Sequence, residues 1–494
     1  MSLSIPNDIQ ALQELVVKLL TRVESLEAEN GLLLSRVKAL DAENELLLSK
    51  VKIMEAENRE LRARLDANSR NSHRPPSSEG LRKKPALPKK KKQRGGQKGH
   101  SGKTLEMVSQ PDDTIPCLPK QCSCGHSLEG IAGEIVERRQ VFDLPEPKLE
   151  VIEYQRIRCT CPNCRKAVSG EFPEGVQAPV QYGTGVKALT TLLSVRGCLS
   201  YDKIKQLFSD LFGYAINEAT LHNANKKAYN ALQSSEQEIF RALLREQTVH
   251  FDETGLRVEG SNHWMHTATS EHFTYLFVHK SRGKKALRGD YSLLPFFRGW
   301  AVHDCMKSYF NFSDCKHAVC GAHLLRELTA LIEQDRKWAK AFRSYLMLLY
   351  TFTDQGQGVL RKNLQAWAHR RYEELLEMAE AEEPPPEKAD DKPGPAKATK
   401  GYNLYRRLKN YKSAVLAFAF YREVPFTNNQ AERDLRPSKV KQKMAGCFRT
   451  LRGARIYARI QGFISTVQKH ELNVFKELRA ALDGFPYAFA PVGS

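Results

Sequence analysis

Three acids in this chain stand where carboxylates can do metal chemistry. Asp252 in "VHFDETG" and Asp304 in "WAVHDCMKSYF" each end an apolar run, and Glu432 lies far downstream in "NNQAERD". Carboxylates gathered at strand ends suit Mg2+, a hard cation that prefers oxygen. Two such ions can activate a water or a 3′-hydroxyl and stabilise the leaving oxygen of an in-line displacement at a phosphodiester. The bland reading of each acid alone is a solvated surface residue; the order and setting of all three favour the metal. Their neighbours are poorer candidates. Glu253 points to the opposite side of the strand from Asp252, Asp314 follows "FNFS" in a loop, and Asp434 sits two positions after Glu432, on another side of a helix.

The cysteines form a second constellation. Six of the eleven lie between positions 117 and 164. "CLPKQCSCGHSL" supplies Cys117, Cys122 and Cys124, and "IRCTCPNCRKAV" supplies Cys159, Cys161 and Cys164. Two short-spaced thiolate pairs separated by a β-rich stretch form a zinc-ribbon arrangement, in which both pairs meet one tetrahedral Zn2+. The expected ligands are Cys122, Cys124, Cys161 and Cys164, with Cys117 and Cys159 as spares. No base or open position accompanies them, so the metal is expected to be structural. Cys320 and His323 in "CGAH" lack a second pair and are assigned a structural or DNA-positioning role.

The formal net charge of +19 points to a polyanionic partner. No signal-peptide pattern and no run of about eighteen apolar residues is found, so a cytoplasmic protein without a membrane partner is expected. In that setting the cysteines read as metal ligands or free thiols rather than a disulfide framework.

These residues must be carried by several domains. Residues 9–66 repeat with a fourteen-residue period: "VESLEAENGLLLSR", "VKALDAENELLLSK", "VKIMEAENRELRAR". Heptad position a holds Val23, Asn30, Val37, Asn44, Val51, Asn58 and Leu65, and position d holds Leu26, Leu33, Leu40, Leu47, Met54 and Leu61. Valine at a with leucine at d favours two parallel strands, and the recurring asparagine fixes register and dimer state at a cost in stability. Arg22 with Glu27, Arg36 with Asp41, Lys50 with Glu55 and Glu57 with Arg62 suit a parallel homodimer. Residues 67–110 carry twelve Lys or Arg between Arg70 and Lys103 against one acid, Glu79. This is a basic, disordered linker whose Lys89, Lys90, Lys91, Lys92 and Arg94 are candidates for DNA phosphates.

Residues 111–175 hold the zinc ribbon. Residues 180–245 read as helices that resemble a helix-turn-helix, a pair that is often only structural. From 246 the pattern becomes three closely spaced strands, a crossover helix ("GKKALRGDYSLLPFFRG"), and a strand ending in Asp304. With a distant helix bearing Glu432, this is the order of a ribonuclease H-like core. Its first part spans 246–330, a helical insertion 331–420, and its last part 421–494. The fold class is thus multidomain α/β.

Here the chain resembles the DDE transposases of the insertion sequence 66 family. "RPPSSEG" and "RGGQKGHSG" are similar to that family's linker. "VHFDETG", "VHDCMKSYF" and "NNQAERDLRPSKVKQK" are similar to its three catalytic motifs, and "CGAHLLREL" to the segment after the second acid. The resemblance implies that Asp252, Asp304 and Glu432 are a catalytic triad. It also implies Mg2+-dependent cleavage and strand transfer at the ends of a mobile element. DNA partners would then be the element's terminal inverted repeats and the target, with accessory proteins of the same element as further candidates. Two departures stand out: Cys305 follows Asp304 where the family tends to have glycine, and the first cysteine knuckle is Cys-x-Cys rather than Cys-x-x-Cys.

Around Glu432, Asn428 and Asn429 are placed to cap its helix. Arg433, Arg436, Lys439, Lys441, Lys443, Arg449 and Arg452 are expected to hold DNA phosphates. Two other functions compete. A zinc-containing DNA-binding regulator without catalysis leaves the three ordered acids unexplained. A nuclease with the same core leaves the N-terminal dimerisation segment unexplained.

Overall fold

The computed structural model describes residues 8–65, 71, 105–353, 358–386, 396 and 398–489. The elements are, in chain order, α1 (Ile9–Leu65), β1 (Arg158–Thr160), β2 (Ala167–Ser169), α2 (Thr184–Val195), α3 (Tyr201–Phe212), α4 (Glu218–Ala231) and α5 (Gln233–Arg245). Then come β3 (Thr248–Val258), β4 (Ser261–Thr269), β5 (Thr274–His279), α6 (Lys284–Leu287), β6 (Trp300–His303) and β7 (Lys316–Val319). Helices follow: α7 (Gly321–Ile332), α8 (Lys337–Phe352), α9 (Lys362–Glu382), α10 (Lys400–Asn410), α11 (Lys412–Phe420), α12 (Asn429–Ala445), α13 (Leu451–Lys469) and α14 (Val474–Leu482). Among the described residues no helix is long and apolar enough to cross a membrane.

The chain divides into two units: Met1–Gly80, Glu246–Asp252 and Leu294–Ala431 form one; Leu81–Arg245, Glu253–Leu293 and Glu432–Ser494 form the other. β3 belongs to both, its first residues to the former and the rest to the latter. The sheet order is β5-β4-β3-β6-β7.

In the first unit β3, β6 and β7 run parallel. Thr248 pairs with Trp300 and His250 with Val302, and Trp300 pairs with Lys316 and His303 with Val319. Parallel strands must be covered on both faces, and helices α7 to α11 supply apolar cover. Val302, Ala318 and Val319 share one core with Leu324, Trp338, Phe342, Tyr372, Leu404 and Phe418. Residues 1–80 of this unit contribute α1, a single helix on which Val23, Leu26, Val37, Leu40, Val51 and Leu61 are exposed.

In the second unit β4 and β5 are antiparallel, from Trp264 opposite His279 to Thr269 opposite Thr274. β5 is buried almost throughout and lies under α13. Thr466 Oγ1 accepts the Thr274 N–H at 3.0 Å, and Gly462 lets the helix approach: a Cβ there would stand 3.1 Å from the Thr274 carbonyl. Helix starts follow local chemistry. Ser200 accepts from Lys203 N–H ahead of α3, Asn217 accepts from Ala219 N–H ahead of α4, and Gly213 closes α3 at φ 71°. The crossover from β5 to β6 differs from the expected helix. Only Lys284–Leu287 is helical, because Gly289, Pro295 and Gly299 interrupt it, while Leu293, Leu294 and Phe297 are buried along an irregular path.

Candidate functional site

β3 alternates between half-buried and buried residues from Thr248 to Thr254, so Asp252 and Glu253 point to opposite sides. The Glu253 carboxylate is buried against Arg282, Oε1 to Nε at 2.7 Å, and Arg282 in turn lies 5.0 Å over the Trp264 ring. Asp252 is half-buried. The parallel register runs from Thr248–Trp300 to His250–Val302. Asp252 follows two residues on within β3, and Asp304 two residues on, just past the end of β6. Asp304 Oδ1 accepts the Met306 N–H at 3.0 Å, an Asx turn that fixes the carboxylate relative to its own loop.

The residue between them in that turn, Cys305, has φ 66°. A left-handed conformation costs a non-glycine residue on the order of 1–2 kcal/mol. Burial pushes the Cys305 thiol up to about 12, which keeps it protonated at neutral pH. Nearby, Arg407 of α10 makes a two-pronged ion pair with Glu327 of α7, one arm at 3.1 Å.

The approach to α12 is fixed by hydrogen bonds. Gly321 N–H donates to the Phe426 carbonyl at 2.8 Å, and a Cβ on Gly321 would run into the Phe426 ring. Asn428 N–H donates to Cys320 Sγ at 3.1 Å. Asn428 Nδ2 donates to the Phe251 carbonyl at 2.7 Å, and His250 Nδ1 meets Asn428 Oδ1 at 2.8 Å. The carboxamide of Asn428, fully buried, is thus bonded to β3 through both its oxygen and its nitrogen. Cys320 thereby holds the same loop. Glu432 lies in the first turn of α12, half-buried.

Asp434 points elsewhere, as expected: it pairs with Lys469 at 2.9 Å and accepts from Thr269 Oγ1 at 2.6 Å. Asp314 forms an exposed pair with Arg298.

The basic residues around Glu432 divide into two groups. Arg433, Arg436, Lys443, Arg449 and Arg452 are exposed. Lys439 Nζ donates to the Gly255 carbonyl at 2.8 Å, and Lys441 Nζ to the carbonyls of Ser194 at 2.8 Å and Leu199 at 3.2 Å. Burial lowers the pKa of both lysines. Their ammonium groups are occupied inside the protein, a geometry that separates them from the exposed set. Lys89, Lys90, Lys91, Lys92 and Arg94 lie outside the described residues.

Both cysteine knuckles are turns. At the first, Cys122 N–H donates to the His126 carbonyl at 2.9 Å and Gly125 N–H to the Cys122 carbonyl at 2.9 Å, with Gly125 at φ 91°. At the second, β1 and β2 pair as a hairpin, and Cys161 and Cys164 lie in its turn. Hydrogen bonds, first from the Cys124 backbone, lower the pKa of the Cys122 thiol; those from the Cys164 backbone do so first for Cys161. Lowered thiols are what a Zn2+ ligand requires. Cys117 and Cys159 are exposed outside the two turns. Each pair is formed, but the two do not meet: among the described residues no three His, Cys, Asp or Glu side chains are grouped to hold an ion.

The Transposase IS66 family matches residues 179–456, more than half the chain, and the protein belongs to that family. The zinc-finger binding domain of transposase IS66 matches residues 119–165, and a family of unknown function (DUF6444) matches residues 11–106. No curated protein matches the chain.

Sequence reasoning did not single out His250, His303, His317, Arg407 or Glu327. For Arg407 and Glu327 the only signal was their types, since they meet from helices 80 positions apart. The histidines flank the first two acidic motifs.

Proposed function

We propose that this transposase cuts and joins DNA with two Mg2+ ions held by Asp252, Asp304 and Glu432. The observation that carries the reading is the parallel pairing of β3 with β6 up to His250 and Val302, two residues before Asp252 and Asp304 in the chain. Carboxylate oxygens suit Mg2+ by their hardness, and the three acids, which are not grouped as they stand, would have to close around the ions. The bound ions would supply Lewis acidity to the scissile phosphate and to the attacking oxygen. The chain's own part is to hold the carboxylates in place. Asn428 bonds the start of the Glu432 helix to β3 just before Asp252, which supports Glu432 as the third ligand and a ribonuclease H-like core around it.

The exposed Arg433, Arg436, Lys443, Arg449 and Arg452 hold DNA phosphates, with Lys89 to Lys92 and Arg94 of the linker as a further contact. Cys122, Cys124, Cys161 and Cys164 bind a structural Zn2+, which joins the two knuckles. The helix α1 pairs with a second copy as a parallel coiled coil. Its exposed a and d side chains and recurring asparagines support this, and two chains suit the pairing of two element ends.

The test is in vitro cleavage and strand joining with Mg2+, on DNA carrying the ends of the gene's own element. Asp252→Asn, Asp304→Asn and Glu432→Gln should each reduce cutting at least a thousandfold while DNA binding stays near wild type. Retained cutting by these variants would reject the site. DNA binding by the wild type without metal-dependent cutting would favour the regulator reading.

A further inference from the structure

A buried histidine, His303, and a half-buried one, His317, stand behind Asp304, and nothing in the proposed chemistry uses them. His303, the last residue of β6, is fully buried. His317 lies on β7, paired with Ala301. The Cys305 N–H donates to His303 Nδ1 at 3.2 Å. A nitrogen that accepts carries no proton, so the proton of neutral His303 is on Nε2. His303 Nε2 stands 3.1 Å from His317 Nδ1 and donates to it. His317 therefore carries its own proton on Nε2, which lies 2.8 Å from the Phe312 carbonyl; the Cys315 sulfur is a looser neighbour of the same nitrogen at 3.9 Å. Each ring nitrogen has one role. The chain runs from a backbone N–H to a backbone carbonyl and needs no charge. Burial disfavours the charged form of both rings. Tyr309 stacks on His303 at 4.4 Å and 10°, and Phe310 meets it edge-on at 4.9 Å, so the first ring cannot swing away.

The chain acts on a strained residue. Cys305 is left-handed at φ 66° and buried, and it directly follows Asp304. The turn is held from both ends: His303 takes the Cys305 N–H, and Asp304 Oδ1 takes the Met306 N–H. Without the first bond, a non-glycine residue would tend to leave the left-handed region, and the Asp304 carboxylate would turn with it.

We propose that His303, oriented by His317, is a positioning residue that holds the turn at Cys305 left-handed and thereby fixes the Asp304 carboxylate. This rests on the proposed role of Asp304 as a metal ligand.

The experiment uses the full-length protein and six variants, of which His317→Leu and Asp304→Asn serve as controls. His303→Leu removes the acceptor and keeps bulk; His303→Asn keeps an acceptor near the Nδ1 position. Cys305→Gly makes the left-handed conformation free, alone or combined with His303→Leu. Folding is checked by circular dichroism and thermal midpoint. The Mg2+ concentration for half-maximal DNA cleavage is then measured, and 15N-histidine labelling reads the tautomers without any reaction.

His303→Leu should raise the Mg2+ requirement tenfold or more. His303→Asn and the His303→Leu/Cys305→Gly double variant should return to within threefold of wild type. His303 and His317 should both be neutral Nε2–H tautomers. A folded His303→Leu with an unchanged Mg2+ requirement, a double variant that is not rescued, or an Nδ1–H tautomer at either ring would overturn the proposal. Should His303→Leu not fold, His317→Leu, which removes the group orienting His303, must raise the requirement at least threefold; no change overturns the proposal. If instead Asp304→Asn cuts like wild type, the reading of the site fails, independently of the histidines.

Discussion

Asp252 and Glu253 are chemically alike and adjacent, yet the pleat of one strand gives them different work. Glu253 is sealed off with no side-chain exposure, whereas its partner Arg282 is about half exposed. The two deletions should therefore be unequal. Arg282→Ala leaves a carboxylate in a dry site and removes a cation over Trp264, at a cost of about 3 kcal/mol. Glu253→Ala leaves a guanidinium that can reach water, at about 1 kcal/mol. Chemical denaturation of both variants checks this; equal losses would mean the carboxylate is not the buried partner. At this scale the sequence was legible where an apolar run met an acid, because alternation dictates which neighbour faces which way. The histidine chain behind Asp304 was not legible. His303 and His317 are fourteen positions apart, and only the β6–β7 register brings them together.

At the scale of elements, α12 shows how charge along a helix misleads. Its lysines and arginines read in sequence as one phosphate-binding set. The fold turns Lys439 and Lys441 inward onto main-chain carbonyls and leaves Arg433, Arg436 and Lys443 outside. A long lysine stem reaches either way, so composition cannot tell the two uses apart. Asp434, locked to Lys469, anchors the same helix in its second turn. DNA affinity measured against salt separates the two sets. Arg433→Ala, Arg436→Ala and Lys443→Ala should each reduce the slope of log K against log[salt] by about one. Lys441→Met should lower the thermal midpoint and leave that slope unchanged. A slope change for Lys441→Met as large as for Arg433→Ala would return Lys441 to the DNA surface. The strands around Asp252 and Asp304 were readable from their apolar runs. The crossover was not, since buried leucines and phenylalanines can lie on an irregular path as well as on a helix.

For the whole molecule, the fourteen-residue repeat made the long helix α1 legible and the cysteine spacings the zinc-finger segment, because a heptad needs only a helix to be meaningful. That the two cysteine knuckles stand apart did not follow from spacing. The exposed valines and leucines of α1 and the asparagines between them make a distinct prediction for the full-length protein. The wild type should sediment as a dimer, and a variant lacking residues 1–66 as a monomer. Replacing Asn30, Asn44 and Asn58 by valine should raise the melting midpoint of the helix and spread the mass distribution beyond the dimer. A deletion variant that remained dimeric would put the pairing surface elsewhere.

The central claim is that Asp252 and Asp304 bind the ions that cut DNA, and replacing oxygen by sulfur at those positions tests it most directly. Asp252→Cys and Asp304→Cys should bind the element ends but lose cleavage in Mg2+ at least a thousandfold, since a hard cation does not accept a thiolate. Mn2+, which tolerates softer ligands, should restore a measurable part of it. A cysteine variant that cleaves in Mg2+ as well as wild type would contradict the account, because the side chain at that position would then not be a ligand.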